Sequence, residues 1–520
     1  MKNLCKTALL TVVLMGCATS PAAQKDEPMD AHPVAGNDYA DHFVSCRSTK
    51  LADVDRVLDK VKRSKGVVLY FHGGLSSDTY MKTKLGPWLM KSIFREENLD
   101  GLYPIFVDYD AGVFDSAKLA DFLKQGLTRS IVRRITGRLD EQAAKGAAAK
   151  AAPEDKYLLA SREILRSADR TKGLTDEDYG ELLIDDGSRA RVGDMLTKSE
   201  PELAKAAGEL EQLATEEQKG AEKLSVTGGI KAIVRILARF ATKTNHQVAP
   251  TIEEEIVRWV EIYGVGPGTF AQHHWDTVYE RSASCWQPGR SGKYLVDNLL
   301  AIERDKKANG EAFTISTLSH SAGSIPVTYL VDYLAKTSGA KVDNVVMIAP
   351  AINQGLFATK LIPNASRIGH LKLFILDLAR EQHDTLVGGL YPASLLYFVS
   401  GVAETKGFGD RMLLIQQHLN QDREPYSSAW YQRILKDRLG EDPNKVWNFF
   451  AANAGTVVYY DSGIAEPDHE AAGPSHECTK FPWATRDLGR AVLNVITGRP
   501  ADSFVLSPPG GAKTCDERPE

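Results

Sequence analysis

The segment Thr317-Leu318-Ser319-His320-Ser321-Ala322-Gly323-Ser324 sets a hydroxyl among small residues where a strand pattern gives way to a helix pattern. The run Ala312-Phe313-Thr314-Ile315-Ser316 reads as the strand and 325–331 as the helix, with Pro326 suited to a first helical turn, where its missing N–H is not needed. A serine at such a bend has its hydroxyl pushed out of the fold. The helix start offers it backbone N–H groups and a positive dipole end that would hold an oxyanion. This is the geometry of a nucleophile. Small side chains two residues to either side, Ser319 and Gly323, keep the strained bend clear of the neighbouring strand and helix.

A second constellation lies upstream. The apolar run 66–71 reads as a buried strand, and His72-Gly73-Gly74-Leu75 follows at once. Two glycines let backbone N–H groups come close to a substrate oxygen, the requirement for half of an oxyanion hole. The donors expected are the N–H groups of Gly74, Leu75 and Ala322. His72 is read as a structural histidine that pins this loop.

The pair Tyr70-Phe71-His72-Gly73-Gly74-Leu75 and Leu318-Ser319-His320-Ser321-Ala322-Gly323-Ser324 resembles the α/β-hydrolase superfamily of serine esterases and lipases. The segments 103–106 (Tyr-Pro-Ile-Phe) and 394–399 (Ser-Leu-Leu-Tyr-Phe-Val) strengthen the resemblance, which covers roughly 64–112 and 275–500. It implies an α/β-hydrolase fold: a mostly parallel central sheet flanked by helices, with a large α-helical insertion as cap. It also implies acyl-transfer chemistry at Ser321, without implying a substrate.

A serine hydroxyl needs a histidine to take its proton and a carboxylate to orient that histidine. Chain order in this superfamily is Ser, then acid, then His. The acid should follow the strand at 371–376, where Asp377, Glu381 and Asp384 are the candidates. Asp384 leads because Asp384-Thr385-Leu386-Val387 resembles the family's acid loop, and Asp377 is the alternate. The base should follow the last strand, 456–460. His476 leads, since Pro474-Ser475-His476-Glu477 resembles the segment before the family's last helix, although Glu477-Cys478 stands where the family carries two glycines. His469 is the alternate. His418 precedes that strand, and His320 is too close in sequence to Ser321 to serve as its base.

These residues need a scaffold. Strand-like 66–71, helix-like 79–97 and strand-like 103–109 form a βαβ unit and hence a parallel sheet. The rhythm breaks over 115–270, where helical faces recur at 200–220 and 229–242. The second of these sets Lys231, Arg235 and Arg239 opposite an apolar stripe, which reads as a helix packed within the insertion, as one lying on an anionic membrane, or as part of a mobile lid. Strands at 312–317, 342–348, 371–376 and 456–460 follow. The organisation expected is a leader at 1–16, a tether at 17–45, first core part at 46–114, insertion at 115–270, second core part at 271–505 and a tail at 506–520.

The 520 residues are 43% hydrophobic, ample for a core, and carry a net charge of −5, which excludes a general nucleic-acid binder. No spacing calls for a metal or an organic cofactor. Lys2 and Lys6 precede an apolar run at 8–15 that is too short to span a bilayer. The run ends in Leu14-Met15-Gly16-Cys17, which resembles a bacterial lipobox with Cys17 as the lipidated residue; a plain secretory leader is the alternative. Two or three acyl chains, at about 0.8 kcal/mol per buried CH₂, anchor a chain stably. Ala18 after Cys17 fits an outer-membrane anchor facing the periplasm. Cys46, Cys285, Cys478 and Cys515 then remain as an even set in an oxidising compartment, open to three disulfide pairings.

The expectation is a lipid-anchored envelope enzyme that hydrolyses small-molecule or lipid carboxylic esters through an acyl-enzyme on Ser321. The alternatives are an acyltransferase or thioesterase with the same triad, and a catalytically silent binding module.

Overall fold

Seven strands form one sheet in the order β1-β3-β2-β4-β5-β6-β7, and all six pairings are parallel. They are β1 (Phe43–Ser45), β2 (Gly66–Phe71), β3 (Leu102–Asp108), β4 (Thr314–His320), β5 (Val342–Ile348), β6 (Ile368–Leu376) and β7 (Val457–Tyr460). The structure is a computed structural model. It describes residues 37–74, 81–111, 116–168, 173–217, 227–262, 267–337, 339–376, 378, 381, 390–404, 412–413, 416–419, 425–439, 442–453, 455–460 and 486–506. Tyr39–Glu520 makes one compact unit.

The unalternating apolar strands follow from burial on both faces. Every residue of β2 is buried. Val67, Leu69 and Phe71 enter one core, while Val68 and Tyr70 enter the other. The smaller core is closed by the helix Arg486–Thr497, whose Leu488, Val492 and Leu493 pack beneath the sheet. The larger core continues into a helical insertion.

Chain order creates a switch point. From β2 the chain moves to β3 on one side, and after the insertion it returns as β4 on the other. The connections after β2 and β4 therefore diverge, leaving a crevice at the carboxyl ends of two adjacent strands, where ligands of open α/β sheets bind. Register sets Phe71 opposite Ser319, so the Gly73–Gly74 loop and Ser321 emerge side by side.

Three details differ from the sequence reading. Strand β4 begins at Thr314 and runs on to His320, so it delivers Ser321 directly and the turn is tighter than a strand ending at 317 would give. The helix expected over 79–97 is broken into Met81–Leu85, Gly86–Ser92 and Glu96–Leu99. Phe43–Ser45 is already a sheet strand, hydrogen-bonded along β3, within the stretch assigned to the tether.

The insertion between β3 and β4 is built of helices from Ser116 to Ser284. The boundary set at 270/271 falls inside its last helix, Pro267–Ser284. The basic helix is Thr227–Ala241. Its Lys231 reaches Asp186 at 3.4 Å, Arg235 reaches Glu255 at 2.9 Å, and fully buried Arg239 meets fully buried Glu254 at 2.7 Å. Its cations are thus taken up by carboxylates within the insertion. Glu254 also meets His246 Nδ1 at 2.7 Å and accepts the Tyr391 hydroxyl at 2.5 Å. Burial opposes its charge, but the His246 and Arg239 charges outweigh burial and hold its pKa well below the ordinary carboxylate value.

Candidate active site

Ser321 has φ +50°, a left-handed backbone that a non-glycine residue adopts at a cost of roughly 1–3 kcal/mol. Such a conformation persists only where the surroundings enforce it. The Ser321 carbonyl accepts the Ala351 N–H at 3.0 Å and the Ser324 hydroxyl at 2.8 Å. Ala349, at the end of β5, is also left-handed at φ +42° and donates its N–H to the Phe374 carbonyl at 2.8 Å. The bend after β4 is therefore held by the bend after β5. Immediately beyond, the helix Ser324–Thr337 begins and aims its N-terminal N–H groups at this point.

Both small flanking residues have a steric reason. A Cβ on Gly323 would lie 2.4 Å from the Phe71 carbonyl oxygen and 2.7 Å from that of His72. The start of the helix is thus pressed against the end of β2. Ser319 is fully buried, and its hydroxyl reaches the Val346 carbonyl on β5 at 3.4 Å, so a serine fits where a bulkier side chain would strike β5.

The loop after β2 completes the arrangement. A Cβ on Gly73 would sit 2.9 Å from His320 Nδ1 and 3.4 Å from the Ser321 Cβ, and one on Gly74 would sit 3.1 Å from the Ala322 Cβ. The backbones of Gly74 and Ala322 are therefore neighbours beside Ser321. His72 holds the loop from behind. Its ring nitrogens face the Gly73 carbonyl at 2.8 Å and Asp108 Oδ1 at 3.1 Å, it stacks on Tyr109, and its own carbonyl accepts the Tyr109 hydroxyl at 3.0 Å. Burial raises the Asp108 pKa, but the His72 hydrogen bond and charge outweigh it and hold the carboxyl below its usual value. Fully buried and bonded on both ring nitrogens, His72 acts as the pin.

Ser321 opens onto a pocket with three walls. The strand-end loops give Gly74, Ala322 and Ala351. The last helix of the insertion gives Ala271, His274 and Trp275. The segment 395–403 gives Leu395, Leu396, Phe398, Val399 and Ala403. Among the described residues the lining holds no Asp, Glu, Lys or Arg. An oxygen-stabilising edge beside a nucleophile-like serine, facing an apolar cavity, suits attack on an uncharged carbonyl compound.

The helix wall was not foreseen. Gln272-His273-His274-Trp275 sits at the 270/271 boundary and reads as the resumption of the core. The Trp275 aromatic ring was the available signal. His274 hydrogen-bonds the backbone of Gly74, so the insertion touches the glycine loop itself; burial is the larger influence and pushes the His274 pKa down, against the rise from that bond.

Of the residues singled out from sequence, the structure brings Ser321, Gly74 and Ala322 together at the pocket. Leu75, the acid candidates Asp384 and Asp377, the base candidates His476 and His469, and Cys17, Cys478 and Cys515 lie outside the described residues. Glu381 is buried and bonded to the hydroxyl of Ser394, which caps the helix Leu395–Phe398. His418 is fully buried, with Nδ1 at 3.1 Å from the Met412 carbonyl. Cys46 and Cys285 form a disulfide that joins the end of β1 to the end of the pocket-wall helix. Among the described residues no helix is long and apolar enough to cross a membrane, and no three His, Cys, Asp or Glu side chains are grouped to hold a metal ion. Comparison of the chain with protein-family models, with curated proteins and with solved structures finds no match.

Proposed function

We propose that the protein is a serine hydrolase of the α/β-hydrolase type that cleaves uncharged carboxylic esters through an acyl-enzyme on Ser321. The observation that carries the reading is the left-handed backbone of Ser321 at the end of β4, beside Gly74 and facing an apolar pocket. The Ser321 hydroxyl attacks the ester carbonyl and gives its proton to a histidine, His476 or His469 by chain order, oriented by Asp384 or Asp377. The tetrahedral oxyanion takes hydrogen bonds from the N–H groups of Ala322 and Gly74; one such donor is worth about 2.7–4 kcal/mol. The tetrahedral intermediate collapses, the C–O bond breaks, and the histidine returns the proton to the leaving alcohol. Water, deprotonated by the same histidine, then releases the acid and restores the serine.

In this reading the helical insertion is the cap, and Cys17 carries a lipid that holds the enzyme at the outer membrane, facing the periplasm. The test is labelling by a fluorophosphonate with peptide mapping, beside hydrolysis of a p-nitrophenyl ester. The probe should attach to Ser321, and Ser321→Ala should lose both labelling and turnover while keeping its circular dichroism spectrum. Full turnover in that variant would remove Ser321 from the mechanism.

A further inference from the structure

We propose that Glu404 is a positioning residue that sets which acyl chains the pocket accepts, by locking Trp275 into the wall; the inference rests on Ser321 being the nucleophile. Glu404 stands directly after the wall segment and does not line the pocket. It is 6% exposed. Its Oε1 accepts the Trp275 indole N–H at 2.8 Å and the Tyr279 hydroxyl at 2.9 Å, both from the helix Pro267–Ser284. The Asn353 amide donates to both carboxylate oxygens, at 3.3 and 3.1 Å. Asn353 is held in turn, since its Oδ1 accepts the Leu356 N–H at 2.7 Å. One carboxylate thus ties together all three walls: the insertion helix, the loop after β5 that continues from Ala351, and the segment 395–403.

Hydrogen bonds to an ionised acceptor are the stronger kind, and a buried indole N–H deprived of its acceptor is destabilising. Trp275 is therefore held in one position, as the largest side chain on its wall. Its ring meets Tyr279 edge to face, with centroids 5.9 Å apart, so the acceptor fixes both rings together. On the far side Arg258 donates to the Gly401 carbonyl at 2.6 Å and to the Glu404 carbonyl, fixing the backbone that carries the carboxylate. The pocket is shaped before substrate arrives. Among the described residues the lining is apolar apart from Ser321 and His274 and carries no charged side chain to replace the water a charged acyl group would shed, so the chain these walls favour is aliphatic and uncharged.

The experiment measures kcat/KM for p-nitrophenyl acetate, butanoate, octanoate and dodecanoate, with fluorophosphonate labelling of every variant. Wild type should show a peaked chain-length profile. In Glu404→Leu the ratio between the best and worst ester should fall by about tenfold, the size of discrimination a fixed apolar wall supplies. Glu404→Gln, whose amide oxygen still accepts from Trp275 and Tyr279, should keep most of the peak. Trp275→Ala, which removes the wall from the other side of the bond, should move the peak toward longer chains and decides the matter if Glu404→Leu does not fold. A wild-type profile in both Glu404→Leu and Trp275→Ala overturns the inference, as does a flat profile in labelled wild type. Failure of wild type to label at Ser321 overturns instead the reading of the nucleophile.

Discussion

Gly323→Ala adds one methyl group at the tightest point of the proposed site. The new Cβ would lie 2.4 Å from the Phe71 carbonyl oxygen, 2.7 Å from that of His72 and 2.8 Å from the Phe71 carbonyl carbon. All three are backbone atoms of the strand end that carries Gly73 and Gly74, so no side chain can swing aside. Relief to 3.0 Å, a separation still rare for a real Cβ, requires about 0.6 Å of relative movement. That movement separates Ala322 from Gly74, the two expected oxyanion donors. A misplacement near 1 Å at a reacting centre costs on the order of 100-fold in rate. Overpacking at a buried contact also destabilises by roughly 1–3 kcal/mol.

The assay is the rate of fluorophosphonate labelling together with kcat/KM on a p-nitrophenyl ester, with thermal unfolding run alongside. Gly323→Ala should fold, melt a few degrees lower, and label about 100-fold more slowly. The control is Gly208→Ala, the same chemical change at an exposed site in the helix Pro201–Glu217 where an added Cβ meets nothing within 4 Å. That variant should label at the wild-type rate and gain up to about 1 kcal/mol in stability. Wild-type labelling in Gly323→Ala would show that the contact between the helix start and the end of β2 does not set the donors, and the reasoning would fail.

Two further outcomes are expected. The Cys46–Cys285 disulfide spans 239 positions, a closure worth about 5 kcal/mol in the chain-entropy account. For a unit of this size, unfolding cooperatively, that is roughly a 5 °C fall in Tm for Cys46→Ser/Cys285→Ser; an unmoved Tm, or a non-reducing peptide map that pairs Cys46 with another cysteine, would refute it. Burial, and after it the charge of Glu254, push the Glu253 carboxyl from its ordinary 4.5 up to about 8. Between those values the folded state keeps a proton the unfolded chain has lost, so this group's contribution to stability falls as pH rises through that window. Glu253→Gln should match wild type in urea midpoint near pH 4 and exceed it near pH 9, by an amount on the order of a few kcal/mol; an equal gain at both ends would contradict the assignment.

The parts of the site legible in the sequence are those whose physical cause is local. A left-handed serine needs small neighbours two residues away, and Ser319 and Gly323 are written beside it. The strands at 66–71 and 342–348 match the structure to the residue: 66–71 is apolar and buried throughout, and in 342–348 the buried apolar stretch Val345–Ile348 follows Asp343 and Asn344. The three-residue strand β1 offered too short a run to stand out from the preceding tether. Glu404 and Trp275 were illegible for another reason. They are 129 residues apart, and nothing in either neighbourhood signals the other. A buried carboxylate looks in sequence like any surface glutamate until the indole that occupies it is placed.

The same long-range contacts bear on how substrate reaches Ser321. An insertion that swung away as a lid would part Glu254 from Tyr391, Arg258 from the Gly401 carbonyl, and Trp275 from Glu404. Each break gives up a buried hydrogen bond to a charged group, worth about 1.5–3 kcal/mol. Gly401 has no side chain because the Glu254 carboxylate fills that space, with Oε2 only 2.1 Å from where a Cβ would be. The insertion is joined to the segment 391–404 as one packed body, so the pocket walls move together or not at all. Entry to the proposed nucleophile then runs through the mouth of a standing pocket. In the proposed reading, the chain-length preference is accordingly a property of the resting protein, set by Trp275 before any substrate is bound.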